Sequence, residues 1–167
     1  DVEVSLAKVL ASNAAAALER VAREVALHEE QAFTEAALDA LEEAFYVFDT
    51  EGKLLRWNDE LAAKTGYDDA ELAGMDSSEF MIEADRPRLV GAIENLYESG
   101  QERIEGSVRT HDGGSLPMEL SGAVLTDGEG ETCGFVGVGR DISQRKELER
   151  ELERYRRVVE TMGDGIY

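Results

Sequence analysis

All 16 glycines and both prolines of this chain fall after Glu51, and no other feature restricts the fold as much. Glycine and proline are the residues that cost most inside a helix. The stretch from Val2 to about Glu43 has neither and is rich in alanine, so it can run as a long helix, while everything after it is cut into short elements. Leu18, Val21 and Val25, then Ala32 with His28 between, recur at helical spacing and form a seam suited to a coiled-coil partner or to packing on the chain's own domain. A break is expected near Gln31-Ala32-Phe33-Thr34, where Thr34 would cap a second helix through Leu41.

At Phe45 the period changes. Ala44-Phe45-Tyr46-Val47-Phe48 is an aromatic and β-branched run, Asp49-Thr50-Glu51-Gly52 is a turn, and Lys53-Leu54-Leu55-Arg56-Trp57 returns from it, so the two runs make a hairpin. Asn58 offers a helix N-cap, Asp59 and Glu60 suit the positive end of a helix dipole, and Gly66 ends that short helix. Asp85 is a second N-cap candidate, with Pro87 in the first turn and Leu89, Ile93, Leu96 and Tyr97 on one face up to Gly100. Three strands follow, over residues 101–110, 115–125 and 132–140. The turns between them, His111-Asp112-Gly113-Gly114 and Asp127-Gly128-Glu129-Gly130, are short enough to make antiparallel neighbours. After Ile142 a polar helix resumes, with Leu148, Leu152, Tyr155, Val159 and Met162 alternating by four and three, a heptad pattern. The expected class is α+β: a five-stranded antiparallel sheet with helices on one face, flanked by long N- and C-terminal helices.

The charge balance narrows the function. With Lys+Arg 17 against Asp+Glu 37 the formal charge is −20, which repels nucleic-acid phosphate and anionic membrane surfaces. Hydrophobic residues still make up 43%, enough for a core. Lys8, Lys53, Lys64 and Lys146 are the only lysines, a composition like that of salt-loving archaea, in which molar salt shortens the Debye length to about 3 Å and quiets repulsion between carboxylates. Cys133 stands alone, which excludes an intrachain disulfide. No run of about 18 apolar residues or signal-peptide pattern is present, so the expected location is the cytoplasm, without membrane insertion. The chain reads as a piece of a longer protein.

Trp57-Asn58, Gly66-Tyr67, Glu71-Leu72-Ala73-Gly74, Asp85-Arg86, the turn His111-Asp112-Gly113 and the closing Gly139-Arg140-Asp141-Ile142-Ser143 together resemble a PAS domain over residues 34–144. The family's Asp-Ile-Thr strand end carries serine here in third place, which keeps the hydroxyl. Leu10 to Val25 resembles the last helix of a GAF domain, so residues 1–33 read as a linker helix. Residues 145–167 read as a signalling helix running into the start of a second PAS domain, with Met162-Gly163-Asp164-Gly165-Ile166-Tyr167 carrying that second likeness. The resemblance implies a pocket between the sheet and the helix from Asp85 to Ser99, and passage of a signal through coiled coils to a histidine kinase or transcriptional output.

No catalytic constellation stands out: there is no Gly-x-Ser-x-Gly, no phosphate-binding Gly-x-x-x-x-Gly-Lys and no His-Glu-x-x-His. The family's flavin photoreceptors need a cysteine in an Asn-Cys-Arg type motif, whereas Cys133 lies in the last strand and reads as a small buried hydrophobe. Haem-binding members supply a histidine from the long helix; His28 and His111 lie elsewhere, and neither fits a metal-ligand spacing. No cofactor or metal is expected, although an unidentified small ligand has a place. Phe45, Val47, Leu55, Leu89, Ile93, Val108, Met118, Leu120 and Val136 are the apolar positions placed around the pocket, and they would also serve as plain core; Trp57 and Tyr67 read first as packing. Asp141, Ile142, Ser143 and Gln144 form the joint to the output helix. Asp141 or Ser143 is the expected cap, and Gln144 stands at capping-box spacing from Asp141. Leu148, Leu152, Tyr155 and Val159 are the expected seam of a homodimer. The chain thus reads as a regulatory sensor or relay module of a multidomain signalling protein, dimeric through its flanking helices and working with adjacent sensor or kinase domains. The alternatives are a non-sensing dimerisation spacer and the sensor part of a transcriptional regulator.

Overall fold

A computed structural model of the chain describes residues 2–163. The chain divides into two units between Ala40 and Leu41. The first is one helix, α1 (Val2–Asp39), with no buried residue. It runs unbroken through the expected break. Thr34 caps nothing: its hydroxyl donates to the Glu30 carbonyl one turn back at 2.9 Å, which lets a threonine sit in mid-helix.

The second unit carries β1 (Ala44–Asp49), β2 (Leu54–Trp57), α2 (Asp59–Thr65), α3 (Asp69–Leu72), two 3₁₀ turns (Ser77–Phe80 and Glu83–Asp85), α4 (Arg86–Ser99), β3 (Gln101–Arg109), β4 (Ser115–Thr126), β5 (Thr132–Asp141) and α5 (Ser143–Gly163). The strands form one antiparallel sheet in the order β2-β1-β5-β4-β3. β5 is therefore central, between the first hairpin and the second. Turn chemistry sets both hairpins: Gly52 sits at φ 81° and Gly113 at φ 85°, a region that side chains avoid. Of the six residues that resemble a second domain, Met162 and Gly163 end α5, and Asp164 to Tyr167 lie outside the described residues.

One side chain organises the start of this unit. Asn58, 2% exposed, accepts with Oδ1 from the Leu61 N–H at 3.2 Å, capping α2, and from the Phe45 N–H at 2.9 Å. Its Nδ2 donates to the Glu43 carbonyl at 3.0 Å. One amide thereby holds the connector, the first strand and the first helix of the domain.

Asp85 does not cap α4 as its position suggested. Its backbone lies in the helical region and no side-chain cap bond forms. Its Oδ2 instead accepts from the Ser107 N–H at 2.8 Å, a group on the outer edge of β3 that would otherwise lack a partner. The Ile82 N–H donates to the Ser107 carbonyl at 3.0 Å and Arg88 donates to the Glu105 carbonyl at 2.8 Å. The need of an edge strand has overridden a helix cap. Pro87 does occupy the first turn of α4, and Gly100 at φ 84° ends it.

Candidate functional site

A cavity of about 80 Å3 lies between the sheet and α4. Ala44, Tyr46 and Phe48 of β1 face it, with Glu102, Ile104 and Val108 of β3, Met118, Leu120 and Gly122 of β4, and Phe135 and Gly139 of β5. Opposite are Leu89, Ala92, Ile93 and Leu96 of α4, Leu61 of α2, and Ser77, Phe80 and Met81 of the connecting segment. Phe48 stacks on Phe135 with ring centroids 5.0 Å apart and meets Phe80 edge-on at 5.9 Å, both geometries that aromatic pairs favour.

Five of the nine residues expected at the pocket line this cavity: Leu89, Ile93, Val108, Met118 and Leu120. Phe45, Val47, Leu55 and Val136 do not. Successive strand residues point to opposite faces, and β1 turns Ala44, Tyr46 and Phe48 toward the helices, which sends Phe45 and Val47 to the other side. Val136 pairs with Val47 and shares that outer face. In β2 Leu54 is 2% exposed and Leu55 is 54% exposed, so the first leucine takes the core position. On α4 Ala92 is buried, whereas Tyr97 is 42% exposed and off the expected face.

Glycine decides the phase of β1. A Cβ on Gly137, the cross-strand partner of Tyr46, would stand 2.5 Å from the Tyr46 ring and hydroxyl, so the ring lies flat only over a bare backbone. The hydroxyl donates to the Ser121 carbonyl at 3.4 Å, and its burial holds the phenol well above its usual pKa. A run of five apolar residues gives no periodic hint of this, but a glycine on every second residue of β5 from Gly137 to Gly139 is the signal that sequence reasoning passed over.

The remaining candidates sit apart from the cavity. Trp57 Nε1 donates to Asp69 at 2.9 Å. Tyr67 meets His111 edge-on at 5.6 Å, and His111 Nε2 lies 3.0 Å from Glu71. His28 is on exposed α1. Cys133 is exposed, with its thiol 3.4 Å from the Leu125 carbonyl; the buried hydrophobe expected there is wrong, because Cys133 falls where the pairing of β4 with β5 shifts register, between the Leu125–Gly134 and Thr126–Thr132 pairs. Among the described residues no group of three or more His, Cys, Asp or Glu side chains could hold a metal ion, and no helix is long and apolar enough to cross a membrane.

At the far end of β5 the chain passes into α5. Asp141 Oδ1 accepts from the Ser143 N–H at 2.8 Å, two residues on rather than the three of a capping box, and Gln144 makes no reciprocal bond among those observed. Partial burial works to raise the Asp141 carboxyl, but the bonds from the Ser143 hydroxyl and N–H, with Lys64 nearby, outweigh it and leave the group below its ordinary value. Ile142 is 4% exposed, and its N–H donates to the Pro117 carbonyl at 3.1 Å. The first turn of α5 is held electrostatically: Arg145 pairs with Glu105 and approaches Glu119 at 3.9 Å, and Lys146 meets Glu105 at 2.8 Å. Glu105 and Glu119 are cross-strand partners, like charges whose repulsion Arg145, paired with both, offsets. Beyond this turn Leu148, Leu152, Tyr155, Val159 and Met162 are all more than 60% exposed. The neighbouring Arg140 donates to Glu43 at 2.7 Å.

A five-stranded antiparallel sheet of this order, with helices over one face and a cavity beneath α4, defines a small α+β domain of ligand-pocket architecture. The family model for the PAS fold matches residues 32–142, and the chain belongs to that family. Among solved structures it is similar to the PAS domain of an HTR-like protein from Haloarcula marismortui (26% identity, TM-score 0.63, covering 72% of this chain and 98% of that one). It is also similar to a sensory box histidine kinase/response regulator from Burkholderia thailandensis E264 (23%, TM-score 0.60, 77% and 98%). A PAS domain from Colwellia psychrerythraea gives 20% identity and a TM-score of 0.63 over 71% of this chain and 98% of that one.

Proposed function

We propose that this chain is a cytoplasmic sensor or relay module of a multidomain signalling protein, with a histidine kinase as its output. Occupancy or strain in the cavity is passed through β5 to a dimeric α5. The observation that carries this reading is continuity. Phe135 and Gly139 line the cavity, and two residues after Gly139 the same strand supplies Asp141 to the start of α5. The seam from Leu148 to Val159 is exposed in a single chain, and a second copy would cover it, giving a two-stranded coiled coil. The kinship with a domain from Haloarcula marismortui and the composition support a salt-loving source, and the sensory box histidine kinase among the similar structures supports the output. The linker helix over residues 1–33 and a second domain beginning at the C-terminal end remain part of this reading.

The test is a dimer with a spin label at Arg150. Sedimentation equilibrium in molar potassium chloride should give a dimer that Leu152→Glu with Val159→Glu dissociates, and filling the cavity with Gly122→Ala should change the label-to-label distance. A dimer whose distance ignores the cavity is the non-sensing spacer, and a monomer at all accessible concentrations removes the coiled-coil output altogether.

A further inference from the structure

We propose that the cavity takes a small, uncharged, apolar molecule of a few heavy atoms, and that two methionines parked on glycines set its capacity. The inference rests on the reading of this cavity as the sensing site. Its wall carries no lysine, arginine or histidine. An anion entering it would shed its hydration and meet no cation in return. A cation is offered only Glu102, which is half-buried and already accepts from the Arg103 N–H at 2.8 Å. Size excludes large ligands as well: about 80 Å3 falls short of the roughly 300–1,000 Å3 that drug-sized molecules use. Water is a poor tenant, because each molecule wants two to four polar partners, and beyond Tyr46, Ser77 and Glu102 the side chains facing the cavity are apolar or absent.

The capacity depends on two close approaches. Met81, on the connecting segment, and Met118, on β4, are each 1% exposed. A Cβ on Gly106 would fall inside contact distance of the Met81 methyl, and one on Gly139 would stand 2.8 Å from the Met118 methyl. Neither glycine has a positive φ, so close approach, and not backbone conformation, is what these positions need. With glycine there, both thioether ends retract against the sheet and the space in front of them stays open. Methionine is flexible enough to move further when a guest arrives.

Methyl NMR on the whole chain, labelled at the methionine Cε carbons and held in molar potassium chloride, tests this. The probes are xenon under pressure, sodium propionate and propylammonium chloride. Xenon should shift the Met81 and Met118 methyls saturably and leave Met162, 68% exposed on α5, as an unmoved internal control; neither charged probe should do so. Gly122→Ala adds a methyl at ordinary contact, 3.6–3.9 Å from Leu96 and the Val136 carbonyl, so the fold and melting temperature should hold while the xenon response weakens about threefold or more. Gly139→Ala should weaken it too, with the Met118 methyl displaced. A saturable response to propionate or propylammonium overturns the ligand class and leaves the sensing site standing. Equal xenon responses with and without the Gly122 methyl refute the cavity as the place of binding. Silence toward all three probes in a folded protein removes the sensing reading itself.

Discussion

Replacing Asn58 by alanine is the sharpest test of how this domain is held together. The amide makes three described bonds to backbone groups, and two of these groups, the Phe45 N–H and the Glu43 carbonyl, belong to parts of the chain 13 and 15 residues away. Alanine takes this partner from the Phe45 N–H and the Glu43 carbonyl and leaves the Leu61 N–H with the Asn58 backbone carbonyl at 3.2 Å, at a site where the side chain is 2% exposed. Loss of an N-cap alone costs about 0.5–2 kcal/mol, and each buried backbone group left unpaired costs about 1–3 kcal/mol. Because the strand and connector groups are only part-buried, water recovers some of that, and a total of about 3–5 kcal/mol is expected. Against a domain stability of about 5–15 kcal/mol this is a large fraction. With a urea slope of about 2 kcal/mol/M the midpoint should fall by roughly 2 M at constant salt. Asn58→Asp keeps an acceptor for both N–H groups, but it turns the donor to Glu43 into an oxygen facing that carbonyl and buries a charge, so its midpoint should also fall below that of the parent chain. A loss below about 1 kcal/mol for alanine, within the range of an ordinary surface cap, would refute the shared-hub argument.

Asp141→Ala should cost about 0.5–2 kcal/mol and speed hydrogen exchange only from Ile142 to Leu148; unchanged exchange there would mean that the carboxylate does not hold the helix start. The Asp76 carboxyl is held below its ordinary value by bonds from the Ser78 hydroxyl and N–H, aided by Lys53, and Asp141 is lowered as well. Groups depressed in the folded state stabilise it above their unfolded pKa of about 4, and that contribution fades as pH falls through the lower folded values. The urea midpoint should therefore drop below about pH 4, and less steeply in Asp76→Asn. Raising potassium chloride from dilute to molar should raise the melting temperature of a chain of charge −20 while weakening the pairs of Arg145 and Lys146 with Glu105, so that amide exchange in the first turn of α5 quickens as the core grows more stable.

What could be read from the sequence was whatever chemistry acts locally. Gly52 and Gly113 marked their turns because positive φ is a property of one residue, and the Asn58 cap was visible because its target lies three residues on. The other two Asn58 bonds were not, since nothing local says that Phe45 and Glu43 will come within reach. The cavity wall shows the same boundary. Leu89, Ile93, Val108, Met118 and Leu120 were legible from periodicity. Phe45 and Val47 were misplaced because a run without polar residues has no phase until Gly137 admits the Tyr46 ring. Asp85 was assigned to the nearer helix, and the Ser107 N–H, 22 residues later, claimed it.

The chain comes into the sheet beside Glu43 and goes out of it into α5 beside Ser143, and adjacent residues of β5 hold both places: Arg140 grips Glu43, and Asp141 grips Ser143. Ala44 and Gly139 are cross-strand partners just inside them. A domain whose two chain ends meet at one pole can be spliced into a longer polypeptide, or removed from it, with little disturbance to what lies on either side. Repetition of such a domain along a chain is then structurally cheap, and in this one the two neighbouring side chains Arg140 and Asp141 tie down both of its ends.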